Sequence, residues 1–223
     1  MKLYSGPLSL FTAKVRVALD EKGLDYERVE VGWSPANRYL PHHPDVVALN
    51  PKKQVPVLVD GDVAVYDSTQ ILEYLEDAYP QPPLRPADVA GRARCRRLEA
   101  SADEQLFPHV WGLIEEAFYP PANGARDAAR LAAARTAIAA HYDGLDAELK
   151  GRAYLCGDFS YADIATAIFV QAASGLGSAP ADGQVALCVW FDRMRERPAL
   201  RREVDATNAF LAELMAPKVA AAR

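Results

Sequence analysis

Asn50-Pro51-Lys52-Lys53-Gln54-Val55-Pro56-Val57-Leu58, followed eleven residues after Pro56 by Asp67-Ser68, is the stretch on which the reading of this chain turns. A proline at the start of a strand forfeits a ladder hydrogen bond, so its presence calls for a reason. A cis Val55–Pro56 bond is one: it turns the chain so that Val55 presents its N–H and C=O sideways to an extended peptide. Asp67-Ser68 then opens a helix, whose N-terminus offers free N–H groups and a partial positive charge suited to a carboxylate. A ligand with a peptide backbone at one end and an amino-acid carboxylate at the other fits both sites.

The flanking sequence supplies a frame for these two features. Leu3–Ser5 reads as a short strand. Ala13–Lys22 sets Val15, Ala18 and Leu19 on one helical face and closes at Gly23. Tyr26–Val31 alternates like a half-buried strand. Val55–Val59 and Val63–Tyr66 are two strands joined through Asp60-Gly61-Asp62, a hairpin signal. Ile71, Leu72 and Leu75 then recur at helical spacing behind Asp67 or Ser68 as N-cap. The expected order is strand, helix, strand, irregular segment, strand, strand, helix.

Residues 79–87, YPQPPLRPA, are rich in proline and read as a linker. From Asp88 onward the pattern is helical throughout. Residues 125–149 form a long alanine-rich stretch. Ser160-Tyr161-Ala162-Asp163 has capping-box spacing before the apolar run Ile164–Val170. Val189–Arg197 and Leu200–Leu214 follow, separated by Pro198, and the tail 220–223 reads as frayed. The expected organisation is an α/β domain over 1–79, a linker over 80–87 and an all-helical domain over 88–223.

Composition narrows the chemistry. The 223 residues are half hydrophobic and a quarter charged, as in ordinary globular proteins. A net charge of -5 argues against nucleic acid or an anionic membrane as the main partner, while leaving room for a local basic pocket. Cys95, Cys156 and Cys188 show no metal-ligand spacing with the four histidines, and so sparse a set fits a reducing cytoplasm. The N-terminal stretch MKLYSGPLSLF has no apolar run of signal-peptide length, and no segment approaches the ~20 apolar residues of a membrane span. Neither GxGxxG nor GxxxxGK occurs, so no nucleotide site is expected, and no metal site either.

With these residues in place, the chain resembles the cytosolic glutathione S-transferases. LYSGPLSLFTAKVRVALDEKGLDYE, ALNPKKQVPVLVDG and DSTQILEYLEDAYP match the N-terminal domain, and YLCGDFSYADIATA and WFDRMRERPAL match the second. The resemblance implies a thioredoxin-like N-terminal domain that binds glutathione as co-substrate, an all-α C-terminal domain, a cytoplasmic homodimer and a role in detoxification. It also implies roles for particular residues. Val55 pairs through its backbone with the cysteinyl part of glutathione, with Pro56 cis. Ser68 holds the γ-glutamyl carboxylate and Asp67 meets the γ-glutamyl amine. Lys53 and Gln54 lie at the glycine end, with His42 or His43 as possible helpers. Asp103 or Glu104 would reach the glutathione amine of the partner chain.

Catalysis in this family makes the glutathione sulfur a thiolate. A free thiol titrates near ~8.5, so a donated hydrogen bond and a helix N-terminus help. The serine-type position, aligned on Lys14-Val15-Arg16, is Ser9, with Thr12 second and Ser5 third. Tyr4, inside the first strand, is not expected to serve, and no cysteine lies in this segment. The resemblance also implies an apolar electrophile pocket between the domains, with Leu8, Leu10, Phe11, Phe107, Trp111 and Phe118 as its lining. The NPKKQVP string resembles the zeta class, but Ser9-Leu10-Phe11 stands where that class carries Ser-Ser-Cys. Three functions remain open: conjugation of glutathione to a small electrophile, a glutathione-dependent isomerase, lyase or dehalogenase, and a non-catalytic glutathione-binding module.

Overall fold

The structure is a computed structural model, described here for residues 1–119 and 127–216. The first part runs β1 (Lys2–Ser5), α1 (Leu10–Glu21), β2 (Glu27–Glu30), α2 (Pro44–Leu49), β3 (Val57–Asp60), β4 (Val63–Tyr66) and α3 (Ser68–Ala78). The four strands form one mixed sheet in the order β2-β1-β3-β4. β1 runs parallel to β2 and antiparallel to β3, and β3 runs antiparallel to β4. Strand alternation splits β1 between two faces: Leu3 joins the main core, while Tyr4 packs with Val31, Val46 and Val57 on the other side.

Four details depart from the expectation. α1 begins at Leu10 rather than Ala13, because Ser9 caps it. The segment read as irregular contains α2, a six-residue helix too short to show a period in sequence, with His43 as its cap. β2 is mostly exposed rather than half-buried, since it sits at the sheet edge with one neighbour. The hairpin turn is Gly61-Asp62, one residue on from the Asp-Gly pair, and it uses the positive φ of Gly61 (58°).

The connection after α3 is pinned rather than loose. Lys22 Nζ donates to the carbonyls of Tyr79 (2.8 Å) and Pro82 (2.9 Å), and Glu76 accepts from the Leu84 N–H at 2.9 Å. The helical part comprises α4 (Val89–Ser101), a single π-helical turn (Ala102–Leu106), α5 (Phe107–Phe118), α6 (Ala128–Leu149), α7 (Tyr161–Gly175), α8 (Val185–Glu196) and α9 (Pro198–Met215). The first residues of the expected 125–149 helix, and the tail 220–223, lie outside the described residues. Pro198 does not interrupt a helix; it occupies the first turn of α9, where its missing N–H costs nothing.

α7 is the centre of this part, with every residue from Tyr161 to Val170 buried. Its capping box forms: Asp163 Oδ2 accepts from the Ser160 N–H at 3.0 Å and from the Ser160 hydroxyl at 2.9 Å. The other carboxylate oxygen accepts from the Leu155 N–H (2.9 Å) and the Trp190 indole (2.8 Å), so this one side chain joins the cap, the preceding loop and α8.

α1 is the shared spine of the molecule. Its apolar side packs under the sheet, while its charged residues pair with the helical part. Lys14, fully buried, donates to Glu99 at 2.6 Å and to Asp103 at 2.6 and 2.7 Å. Arg16 makes a two-pronged pair with Glu203, at 2.7 and 2.5 Å. Glu21 and Asp20 take Arg197 (2.6 Å) and Arg202 (2.9 Å). Among the described residues no helix is long and apolar enough to cross a membrane.

Candidate active site: a cavity between sheet and helices

A cavity of about 790 Å³ opens between the sheet part and helices α5, α7 and α9. Its wall begins with the loop after β1. Gly6 allows that loop to close down: a Cβ there would stand 2.6 Å from the Tyr39 ring and 2.8 Å from a Val55 methyl. Leu8 adopts a positive φ (62°), a conformation that disfavours side-chain-bearing residues, and Ser9 follows at the mouth of α1. The Ser9 hydroxyl oxygen accepts from the Thr12 N–H at 3.2 Å, while its own proton has no acceptor among the described residues. The site thus presents an unspent hydroxyl donor at the positive end of a helix, the combination that stabilises a thiolate.

The two other hydroxyls considered for that role do not reach the cavity wall. Thr12 is fully buried in the core with no partner for its oxygen, and Ser5 is buried accepting from Arg16 Nη1 at 2.7 Å. Tyr4 donates to Asp45 Oδ2 at 2.7 Å. That bond, aided by burial, pushes its pKa up to about 12, which leaves the phenol protonated and committed. No cysteine lines the cavity.

Along the adjoining wall stand Lys53, Gln54 and Val55, with His42 and His43 nearby. Asn50, almost wholly buried, builds this edge: its amide donates to the Gln54 carbonyl at 2.8 Å, and its side-chain oxygen accepts from the Lys52 N–H at 2.9 Å. The Val55–Pro56 bond is cis, and neither the N–H nor the C=O of Val55 has a partner among the described residues. That edge is free to pair with an extended peptide. His43 is engaged as the cap of α2, accepting the Asp45 N–H at 3.2 Å.

Pro56, Asp67 and Ser68 are not part of the cavity wall, but the hairpin brings them together beside it. Val57 pairs with Tyr66, so the next positions outward are Pro56 and Asp67. Asp67 caps α3 through the Thr69 N–H (3.2 Å) with φ of 75°, and Lys52 Nζ lies 3.0 Å from its other oxygen. Ser68, 3% exposed, is the first residue of α3.

On the far wall Leu10, Phe11, Phe107, Trp111 and Phe118 line the cavity, as does Leu8. The rings form a row: Phe11 to Phe107 at 4.6 Å, Phe107 to Trp111 at 6.1 Å, Trp111 to Tyr119 at 6.3 Å. Asp103, expected to reach a partner chain, is held by Lys14 of its own chain. Lys14 sits buried on α1 and needs its charge matched, and the π-helical turn brings the carboxylate there. Burial in particular, with the neighbouring Glu99 carboxylate, pushes the Asp103 pKa up to about 6 against the pull of Lys14. Glu104 is exposed. Gly6, Asn50, Arg38, Tyr39 and the Arg16–Glu203 pair escaped sequence reading. Charged residues on the apolar face of α1 were the one available signal for the last.

Residues 3–83 match the family model "Glutathione S-transferase, N-terminal domain" and residues 96–198 match "Glutathione S-transferase, C-terminal domain". Glutathione S-transferase 3 of Zea mays is 32% identical over 214 residues, covering 92% of this chain and 94% of that protein. The chain belongs to the glutathione S-transferase family. It is also 41% identical over 118 residues to the stringent starvation protein A homolog of Coxiella burnetii, covering 52% of each protein; the chain spans about half the length or less of the first curated relatives it matches. Among solved structures, a glutathione S-transferase of Methylobacterium radiotolerans in complex with glutathione sulfonate is 30% identical with a TM-score of 0.75, covering 91% of this chain and 93% of that one.

Proposed function

We propose that this protein is a glutathione transferase that joins the glutathione sulfur to a small, mostly apolar electrophile. The observation that supports it best is the meeting, in one cavity, of a free hydroxyl donor at the α1 N-terminus, an unpaired peptide edge at Val55 and a row of aromatic rings. In this reading Val55, with Pro56, pairs with the cysteinyl backbone of glutathione. Lys53 and Gln54 take its glycine carboxylate, and Ser68 takes its γ-glutamyl carboxylate at the start of α3. Asp67 takes the amine, in competition with Lys52.

The Ser9 hydroxyl keeps its proton and donates a hydrogen bond to the sulfur, favouring the thiolate while the thiol proton leaves to solvent. The thiolate then forms an S–C bond to an electrophile held against Phe11, Phe107 and Trp111, and the electrophile's leaving group departs with the bonding pair. The same site would serve a zeta-like isomerase, lyase or dehalogenase whose substrate fits the far wall. The domain bounds 1–79 and 88–223, a homodimer, a cytoplasmic location and a part in detoxification belong to this proposal.

Calorimetry with reduced glutathione, on the wild type and Ser68→Ala, tests the site. Loss of one charge-assisted hydrogen bond weakens binding about tenfold or more. Turnover of 1-chloro-2,4-dinitrobenzene with glutathione consumption tests the reaction. Glutathione binding without turnover on this or on isomerase and dehalogenase substrates would favour a binding module. No binding at all would remove the proposal.

A further inference from the structure

The cavity wall carries more positive charge than glutathione accounts for. Arg16, Arg38 and Lys53 line it, and Glu203 is the one carboxylate among the described residues of the wall, in a chain whose net charge is -5. Arg16 is spent on Glu203, and Lys53 stands at the Val55 edge. Arg38 stands elsewhere. Its guanidinium lies 4.2 Å from the centre of the Tyr119 ring and 5.4 Å from that of Trp111, at the aromatic end. Its backbone is locked by paired hydrogen bonds with Ser34, at 2.9 and 2.7 Å, in a left-handed conformation (φ 54°). Among the described residues it meets no carboxylate.

A guanidinium held over a ring face and facing no carboxylate keeps its N–H groups unspent, and these can take a carboxylate or sulfonate in two parallel hydrogen bonds. The neighbouring rings of Trp111, Phe107 and Phe11 offer a surface for a flat apolar body. The geometry points to Arg38 as the residue that selects, for the second-substrate end of the cavity, aromatic molecules bearing an anionic group. This rests on the transferase reading of the cavity and narrows its substrate class from apolar electrophiles to aromatic organic anions.

A matched pair of fluorescent probes tests it: 8-anilinonaphthalene-1-sulfonate and N-phenyl-1-naphthylamine, which differ only in the sulfonate. Dissociation constants are measured on the full chain with saturating glutathione, at low salt, for the wild type, Arg38→Met and Arg38→Lys. The sulfonate probe should bind about tenfold or more weaker to Arg38→Met and to an intermediate degree to Arg38→Lys, with the neutral probe unchanged within about twofold. Its advantage should shrink as salt rises, because Arg38 is solvent-exposed. An unchanged sulfonate affinity in Arg38→Met, or an equal loss for both probes, overturns the inference. So does displacement of the sulfonate probe by glutathione, which would place the anion at Lys53. Failure of glutathione to bind or turn over would sink the transferase reading alone, since the probe comparison does not depend on catalysis.

Discussion

At Ser9 one hydroxyl has two functions that can be separated. As acceptor it caps α1 through the Thr12 N–H; as donor it is free toward the cavity. Ser9→Ala loses both, and Ser9→Asn keeps a cap without the hydroxyl. A hydrogen bond to a charged sulfur contributes about 1.5–3 kcal/mol. Both variants should therefore lose roughly tenfold to a hundredfold in kcat/KM, with the thiol of bound glutathione titrating at higher pH by ultraviolet thiolate absorbance. Only Ser9→Ala should also unfold earlier, by about 1 kcal/mol. Full activity in either variant removes Ser9 from the chemistry. Gly6 is a residue-scale constraint of another kind. Gly6→Ala must displace the Tyr39 ring and Val55, so we expect a loss of about 1–3 kcal/mol in urea unfolding together with weaker glutathione binding. Unaltered binding would show that Val55 is not held by this contact.

Among elements, α7 depends most on a single side chain. Asp163 satisfies the Ser160 N–H, the Leu155 N–H and the Trp190 indole, all in a site shut off from water. Asp163→Ala strands these three buried donors and the Ser160 hydroxyl as well. At about 1–3 kcal/mol for each unsatisfied group, with partial relaxation, unfolding in urea should show a loss of at least about 3 kcal/mol. Asp163→Asn keeps acceptor capacity and should lose less. A near-neutral Asp163→Ala would mean that water enters and replaces the carboxylate. The hairpin β3–β4 matters in a different way: its register brings Pro56 beside Asp67, so a slip of one residue would separate the two halves of the proposed glutathione site.

For the whole molecule, the pairs on α1 join the two parts. Glu203→Ala leaves Arg16 buried without its partner, a loss of about 3–5 kcal/mol, whereas Arg16→Met with Glu203→Leu should come close to neutral in stability. Additive losses in the double variant would show that the pair itself, rather than its matching, stabilises the protein. The Lys14–Glu99–Asp103 cluster adds a pH dependence. Asp103 titrates near 6 in the folded chain, above the ~3.9 of an unfolded aspartate, so the native state binds its proton more tightly. Its favourable contribution is present below pH ~4 and lost as the pH rises through about 6. Compared with Asp103→Asn, the wild type should thus lose stability between pH 4 and 7, by at most about 1.4 kcal/mol per unit of pKa difference. A stability difference that stays flat over that range would refute the assignment.

The elements of the fold were legible because local signals and global needs agree in them. Val57–Asp60 and Val63–Tyr66 alternate around Gly61, Asp67 opens α3, and Ser160-Tyr161-Ala162-Asp163 announces α7; each is a short-range pattern that backbone sterics and hydrogen bonding enforce wherever the chain goes. The strings of the proposed glutathione end, Lys53 to Pro56 and Asp67-Ser68, are local in the same way and are joined by one hairpin. Sequence by itself therefore determined the strands, the longer helices, the hairpin and the family. Only the tertiary structure decided which hydroxyl faces the cavity, that Asp103 answers Lys14 in its own chain, that α2 exists, and that the Arg38 guanidinium lies over the Tyr119 and Trp111 rings. Those facts depend on residues far apart along the chain meeting across the cleft, where packing and the need to match buried charge choose the partners, and no local pattern encodes that choice.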